Sequence, residues 1–115
     1  MANNIPFQPM GGTFKIVLPT ANTAVTIEVT SDSPSNQYLL GNHDAANKPV
    51  YVRIGTSNVT ATLPDANAAG NTVLVPVNCK FVLSGPQTSA SKTVYVSAIA
   101  EHNNAEVYIT PGEGM

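Results

Sequence analysis

The sequence predicts an all-β fold, a two-sheet antiparallel sandwich of the jelly-roll or Greek-key kind with an extended N-terminal arm. Three observations predict it. Short runs in which apolar and polar residues alternate recur along the chain, and β-branched residues dominate them. Clusters of Gly, Pro, Asn and Ser separate these runs at near-regular spacing, as sandwiches and barrels require. No ten-residue window carries apolar side chains at helical period.

The elements follow in order. Residues 1–12 contain Pro6, Pro9, Gly11 and Gly12 beside the apolar Ile5, Phe7 and Met10, which reads as an extended arm. The arm has two outcomes open to it, docking on its own sandwich or on a neighbour. The sandwich proper is residues 13–115. Thr13 to Leu18 groups Phe14, Ile16 and Leu18 on one face, and Thr23 to Thr30 sets Val25, Ile27 and Val29 against Thr26, Glu28 and Thr30. Gln37 to Gly41 offers Leu39 to the core, with Tyr38 and Leu40 opposite. Val50 to Ile54 sets Val50, Val52 and Ile54 against Tyr51 and Arg53. Val59 to Leu63 alternates with Thr60 and Thr62. Asp65 to Gly70 reads as a helical turn or a plain loop. Thr72 to Val75 precedes Pro76, which suits an edge. Cys79 to Leu83 points Cys79, Phe81 and Leu83 inward, and Gly85 to Ser91 reads as a turn.

The last two runs, Val94 to Ala100 and Ala105 to Thr110, flank the polar Glu101 to Asn104 and read as a β-hairpin. Val94, Val96 and Ala98 face the core with Val107 and Ile109. Pro111 lacks an N–H and ends the last strand, leaving Pro111 to Met115 as a surface tail.

Composition narrows the function classes. A chain of 115 residues is one domain, with core enough to stand without staples. Charged residues make up 10%, against about 25% in an average soluble protein. The polar surface therefore comes from Asn, Thr and Ser, which cost less to desolvate against a partner than charges do. The five basic residues are scattered through a chain of net charge −2, which argues against direct nucleic-acid binding. No apolar run is long enough for a membrane span, and the N-terminus does not read as a signal peptide. Cys79 is the sole cysteine and implies synthesis in a reducing cytosol.

No reaction is visible. His43-Asp44 and Glu101-His102 fall in separate loops and read as solvated turn residues, since a metal site needs three or four converging ligands. Cys79 lies on an apolar strand face and reads as structural. Glu28 and Glu106 are the acids placed in strands, and nothing sets them against each other as a glycosidase requires. Asn58-Val59-Thr60 matches a glycosylation sequon by chance, and no phosphate-cradling glycine motif occurs. Tyr38, Tyr51, Tyr95 and Tyr108 each lie opposite the main apolar face of their strand, as cross-strand partners or interface side chains.

Three stretches carry a resemblance. SPSNQYLLGN (Ser33 to Asn42) leads into KPVYVRIG (Lys48 to Gly55), and the chain closes on TVYVSAIA and AEVYITPGEGM. This order is similar to that of a group of small tailed-bacteriophage virion proteins that often lie beside the major capsid gene. The resemblance covers about two-thirds of the chain, and the closing TPGEG is its most specific part. It implies a capsid decoration or cement protein, made in the bacterial host cytoplasm and located in the virion. The implied partners are the major capsid protein, copies of itself as a homo-oligomer, or both. The resemblance implies no catalytic residue, cofactor or metal. A tail, baseplate or connector component and a carbohydrate-binding module are the alternatives. The residues expected to meet a partner are Ile5, Phe7 and Met10 of the arm, Tyr51 and Arg53 on an outer sheet face, and Pro111, Glu113 and Met115 of the tail.

Overall fold

A computed structural model describes residues 8–42, 48–57, 59–64, 66–77 and 79–113, with only the backbone of Gln8 and Phe81. Ile5, Phe7, His43, Asp44, Asn58 and Met115 lie outside the described residues. Nine strands form two antiparallel sheets packed as a sandwich, with no helix among the described residues. They are β1 (Gln8–Pro9), β2 (Phe14–Leu18), β3 (Val25–Val29), β4 (Ser35–Asn42), β5 (Val50–Gly55), β6 (Val73–Val75), β7 (Cys79–Thr88), β8 (Val94–Ile99) and β9 (Ala105–Glu113).

One sheet runs β2-β9-β4-β7, with β1 continuing the β2 edge along β9. The other runs β3-β8-β5-β6. The pairs β2·β9, β3·β8, β4·β7 and β5·β6 nest inside one another like one long hairpin rolled over two layers. That nesting is the jelly roll. Alternation puts Ile16, Leu18, Leu40, Val107 and Ile109 of one sheet against Val29, Val50, Val52, Val75, Val94, Val96 and Ala98 of the other.

The expected hairpin of the last two runs is instead a corner between sheets. β8 pairs with β3 and β5, whereas β9 pairs with β1, β2 and β4. Ala100 and Ala105 flank the corner fully buried, and their small side chains let the chain step from one layer to the other. The turn is held from outside. Asn103 Oδ1 accepts the Ala21 N–H at 2.7 Å, and Ala100 O accepts the Asn22 N–H at 2.8 Å. Asn22 and Asn104 take left-handed backbone, φ 60° and 61°, which asparagine tolerates better than most residues.

The expected strand at Val59 to Leu63 is not a strand. The segment lies over the outer face of the β3-β8-β5-β6 sheet and takes its hydrogen bonds from side chains. Ala61 is buried and donates its N–H to Ser97 Oγ at 2.9 Å. Thr26 Oγ1 lies 2.9 Å from Val59 O and 3.0 Å from Ser97 Oγ. Asn71 then works as a backbone surrogate, accepting the Thr62 N–H at 2.8 Å and donating to Thr60 O at 3.0 Å. Gly70 allows the return pass, since a Cβ there would stand 2.6 Å from Thr62 O. Residues 66–67 form a turn, with Asn67 at φ 63°. Replacing Ser97 with alanine should remove an acceptor from the buried Ala61 N–H. A loss of about 1–3 kcal/mol in chemical denaturation is expected.

Two further expectations are corrected. Gly85 to Ser91 is not simply a turn, because β7 continues to Thr88. The pairing slips between Ser35–Thr88 and Gln37–Ser84, so Gly85 and Pro86 sit in a bulge of an edge strand, where both are tolerated. The face assignment in β4 is also reversed. Tyr38 and Leu40 are buried in the core, and Leu39 faces outward. The Tyr38 hydroxyl donates to Pro86 O in that bulge. A Cβ at Gly85 would stand 3.1 Å from the Tyr38 ring. Burial pushes the Tyr38 phenol up to about 12.

Pro111 does not end the last strand. β9 runs through it to Glu113, and Pro111 and Gly112 are buried. Register explains how a proline sits in a central strand. Its carbonyl accepts the Met10 N–H at 2.9 Å, so its imide nitrogen faces Met10 as well. The Met10 carbonyl, which a Pro111 N–H would otherwise fill, accepts the Asp32 N–H at 2.7 Å instead. Gln8 pairs with Glu113 and Pro9 with Gly112, so this part of the arm lies on its own sandwich.

Candidate functional site

The outer face of the β2-β9-β4-β7 sheet is built by residues that alternate with the core set. Lys15 and Val17 of β2 stand beside Tyr108 and Glu106 of β9. Gly41 and Leu39 of β4 and Lys80 and Val82 of β7 continue the rows. Gly41 has open space where a Cβ would be, which leaves the middle of the face flat. Val17 is 50% exposed. At the β2 side Lys15 Nζ lies 3.2 Å from Glu106 Oε2 and 5.5 Å from the Tyr108 ring centroid. The hydrogen bond and charge of Glu106, with a smaller part from Tyr108, hold Lys15 above its ordinary pKa. The Tyr108 hydroxyl is 3.4 Å from Glu106 Oε1.

The outer face of the other sheet carries a second set. Register places Ile99, Tyr51 and Leu74 in one row, Thr26, Ser97 and Arg53 in the next, and Glu28 beside Tyr95 in a third. The Val59 to Leu63 segment covers part of the middle row. Leu74 is 46% exposed. Val73 pairs with Val52 on the inner face, yet lies at the sandwich margin and is 43% exposed. β6 thus shows large aliphatic side chains on both faces.

The five expected contact residues that are described divide between two places. Met10, Pro111 and Glu113 come together where the arm lies along β9; Met10 and Glu113 are half-buried there, and Pro111 is buried. Tyr51 and Arg53 lie on the other sheet, Tyr51 half-buried and Arg53 exposed, with Arg53 Nη1 3.4 Å from Asn71 O. Tyr51, Tyr95 and Tyr108 are half-buried on outer faces, unlike Tyr38. Val17, Val73 and Leu74 were missed. The signal for β6 was present, since Val-Leu-Val before Pro76 gives an edge strand no polar face to turn outward.

Glu28 and Glu106 sit on opposite outer faces of the sandwich, so they cannot flank one bond. Glu101 and His102 are exposed in the corner turn, and Cys79 is half-buried in β7. Among the described residues no group of three or more His, Cys, Asp or Glu is placed to hold a metal.

Neither a protein-family model nor a curated protein sequence matches the chain. Among solved structures, the chain is similar to the crystal structure of the Penaeus vannamei nodavirus P-domain. The likeness covers 90% of this chain and 96% of that one, at 14% sequence identity and a TM-score of 0.49.

Proposed function

We propose that this chain is a non-enzymatic structural protein of a tailed-bacteriophage particle, a decoration protein that binds the outer capsid shell and strengthens it. The observation that carries the reading is the exterior of the jelly roll. Val17, Val73 and Leu74 stand about half exposed in a chain with only 10% charged residues. Such a surface loses little on desolvation and repels neither its own copies nor a neutral partner. The resemblance in Ser33 to Asn42, Lys48 to Gly55 and the closing strand supports the same reading. Each contact is small, and many copies on one lattice act together through high effective concentration.

Co-expression with the products of the genes flanking its own tests the proposal. The chain should sediment with assembled shells and raise the temperature at which they break. A chain that stays in the supernatant while shells pellet would contradict it, as would sedimentation with tails alone.

A further inference from the structure

We propose that the outer face of the β2-β9-β4-β7 sheet binds an acidic saccharide, a carboxylate-bearing pyranose seated over Gly41 between Tyr108 and Lys80. The proposal stands apart from the particle reading, because it concerns the isolated protein. It starts from Gly41. Glycine weakens the interior of a strand, and there it marks a bulge, a sharp bend or a place where something comes close to the backbone. β4 is a central strand, and its pairing runs unbroken through Gly41, which lies opposite Tyr108 on β9 and Lys80 on β7. The slip in β4 lies at the other end of the strand, between Ser35 and Gln37. Gly41 does not take the left-handed backbone that favours glycine. A Cβ there would meet nothing within 4 Å among the described residues. Those residues therefore supply neither a bulge, nor a turn, nor a close neighbour as the reason for glycine. An occupant from outside supplies one.

The row across the sheet is Lys15, Tyr108, Gly41, Lys80. Paired residues have Cα atoms about 4.5–5.5 Å apart, so Tyr108 and Lys80 stand about 10 Å apart across the gap. Lys15 takes the β2 side of Tyr108, with its Nζ 5.5 Å from the ring centroid. The side toward Gly41 is open. Lys80 is exposed, and no ion pair among the described residues engages it. The gap thus has a backbone floor, an aromatic wall and an ammonium wall. Leu39 and Val82, half-buried in the next row, make one margin apolar. The occupant that fits carries an apolar face and an anion on one compact body. A carboxylated pyranose has both. The C–H groups of one ring face stack on the aromatic wall, and the carboxylate at the ring edge accepts a charge-assisted hydrogen bond from Lys80 Nζ. A glutamate or aspartate side chain brings the anion without the face. Nucleic acid needs clustered cations, whereas here Glu106 offsets Lys15.

Titration of the isolated chain with oligogalacturonate, oligoglucuronate and oligosialic acid tests it. At least one should bind, and neutral oligogalactose and poly-glutamate of matched length should not. Lys80→Ala should weaken binding about tenfold, the loss expected for one hydrogen bond to a charged group. Gly41→Thr should abolish binding while the melting temperature holds or rises, because threonine suits a strand and its side chain has room. Lys80→Ala, at an exposed position, decides the matter even where Gly41→Thr fails to fold. Binding of none of the three acidic saccharides would overturn the proposal. Equal binding of poly-glutamate would overturn it in favour of an acidic peptide. Undiminished binding by Lys80→Ala or by folded Gly41→Thr would overturn it as well.

Discussion

Replacing Tyr38 with alanine is expected to cost about 3–5 kcal/mol, the range for emptying a large aromatic site. Tyr38 is a fully buried side chain at the centre of β4, packed with the core cluster. Domains hold only about 5–15 kcal/mol in reserve. The melting temperature should fall by about 10–20 °C, and a thermal scan measures it. Tyr38→Phe separates the ring from its hydroxyl. It keeps the packing, leaves Pro86 O without its donor, and should cost about 1–2 kcal/mol. The same pair of proteins has a distinct pH signature. The phenol is raised from about 10 in the unfolded chain to about 12 in the fold, because burial disfavours phenolate. Its contribution is fully present below pH about 10 and is lost as pH rises from about 10 to about 12. Wild type should therefore lose up to about 1.4 kcal/mol per pH unit in that window beyond any loss seen in Tyr38→Phe. Equal alkaline slopes would show that Tyr38 is not the group responsible.

Removing Gly112 to Met115 should destabilise the isolated domain, contrary to the sequence expectation of a free tail. Gly112 pairs with Gln37 on one side and Pro9 on the other, and Glu113 pairs with Gln8. The truncation exposes the Tyr38 end of β4 and releases β1, at an expected cost of about 2–3 kcal/mol. That corresponds to a fall of roughly ten degrees for a domain of this size. Unchanged melting would show that the arm and the end of β9 contribute nothing to the fold.

These two cases also show where a sequence is mute. In β8 and β9 the apolar face was legible, because Val94, Val96 and Ala98 alternate with Tyr95 and Ser97, and Val107 and Ile109 with Glu106, Tyr108 and Thr110. In β4 three successive apolar residues, Tyr38, Leu39 and Leu40, fit either face, and register against β9, which sets Leu40 beside the buried Ile109, decides for Tyr38 and Leu40. Alternation says which side of a strand is buried, not which sheet the strand joins. The corner at Glu101 to Asn104 therefore read as a hairpin. Val59 to Leu63 has a strand's pattern but no strand beside it, since Asn71 and Ser97 side chains supply its partners. Pro111 read as a terminator because its tolerated place depends on Asp32 taking the Met10 carbonyl, a contact between distant parts of the chain. Of the expected contact residues, Tyr51 and Arg53 were legible as outward residues. The all-apolar β6 already signalled an exposed aliphatic side chain, and its place beside Tyr51 emerged when register joined β5 to β6.

Adhesion to the outer shell is the claim on which the functional account rests. A cryo-electron microscopy map of the virion tests it most directly. The account predicts density for this jelly roll on the outer surface of the capsid, seated where capsid subunits meet. Density confined to the tail or baseplate, or a complete shell with no copy of this chain, would contradict it.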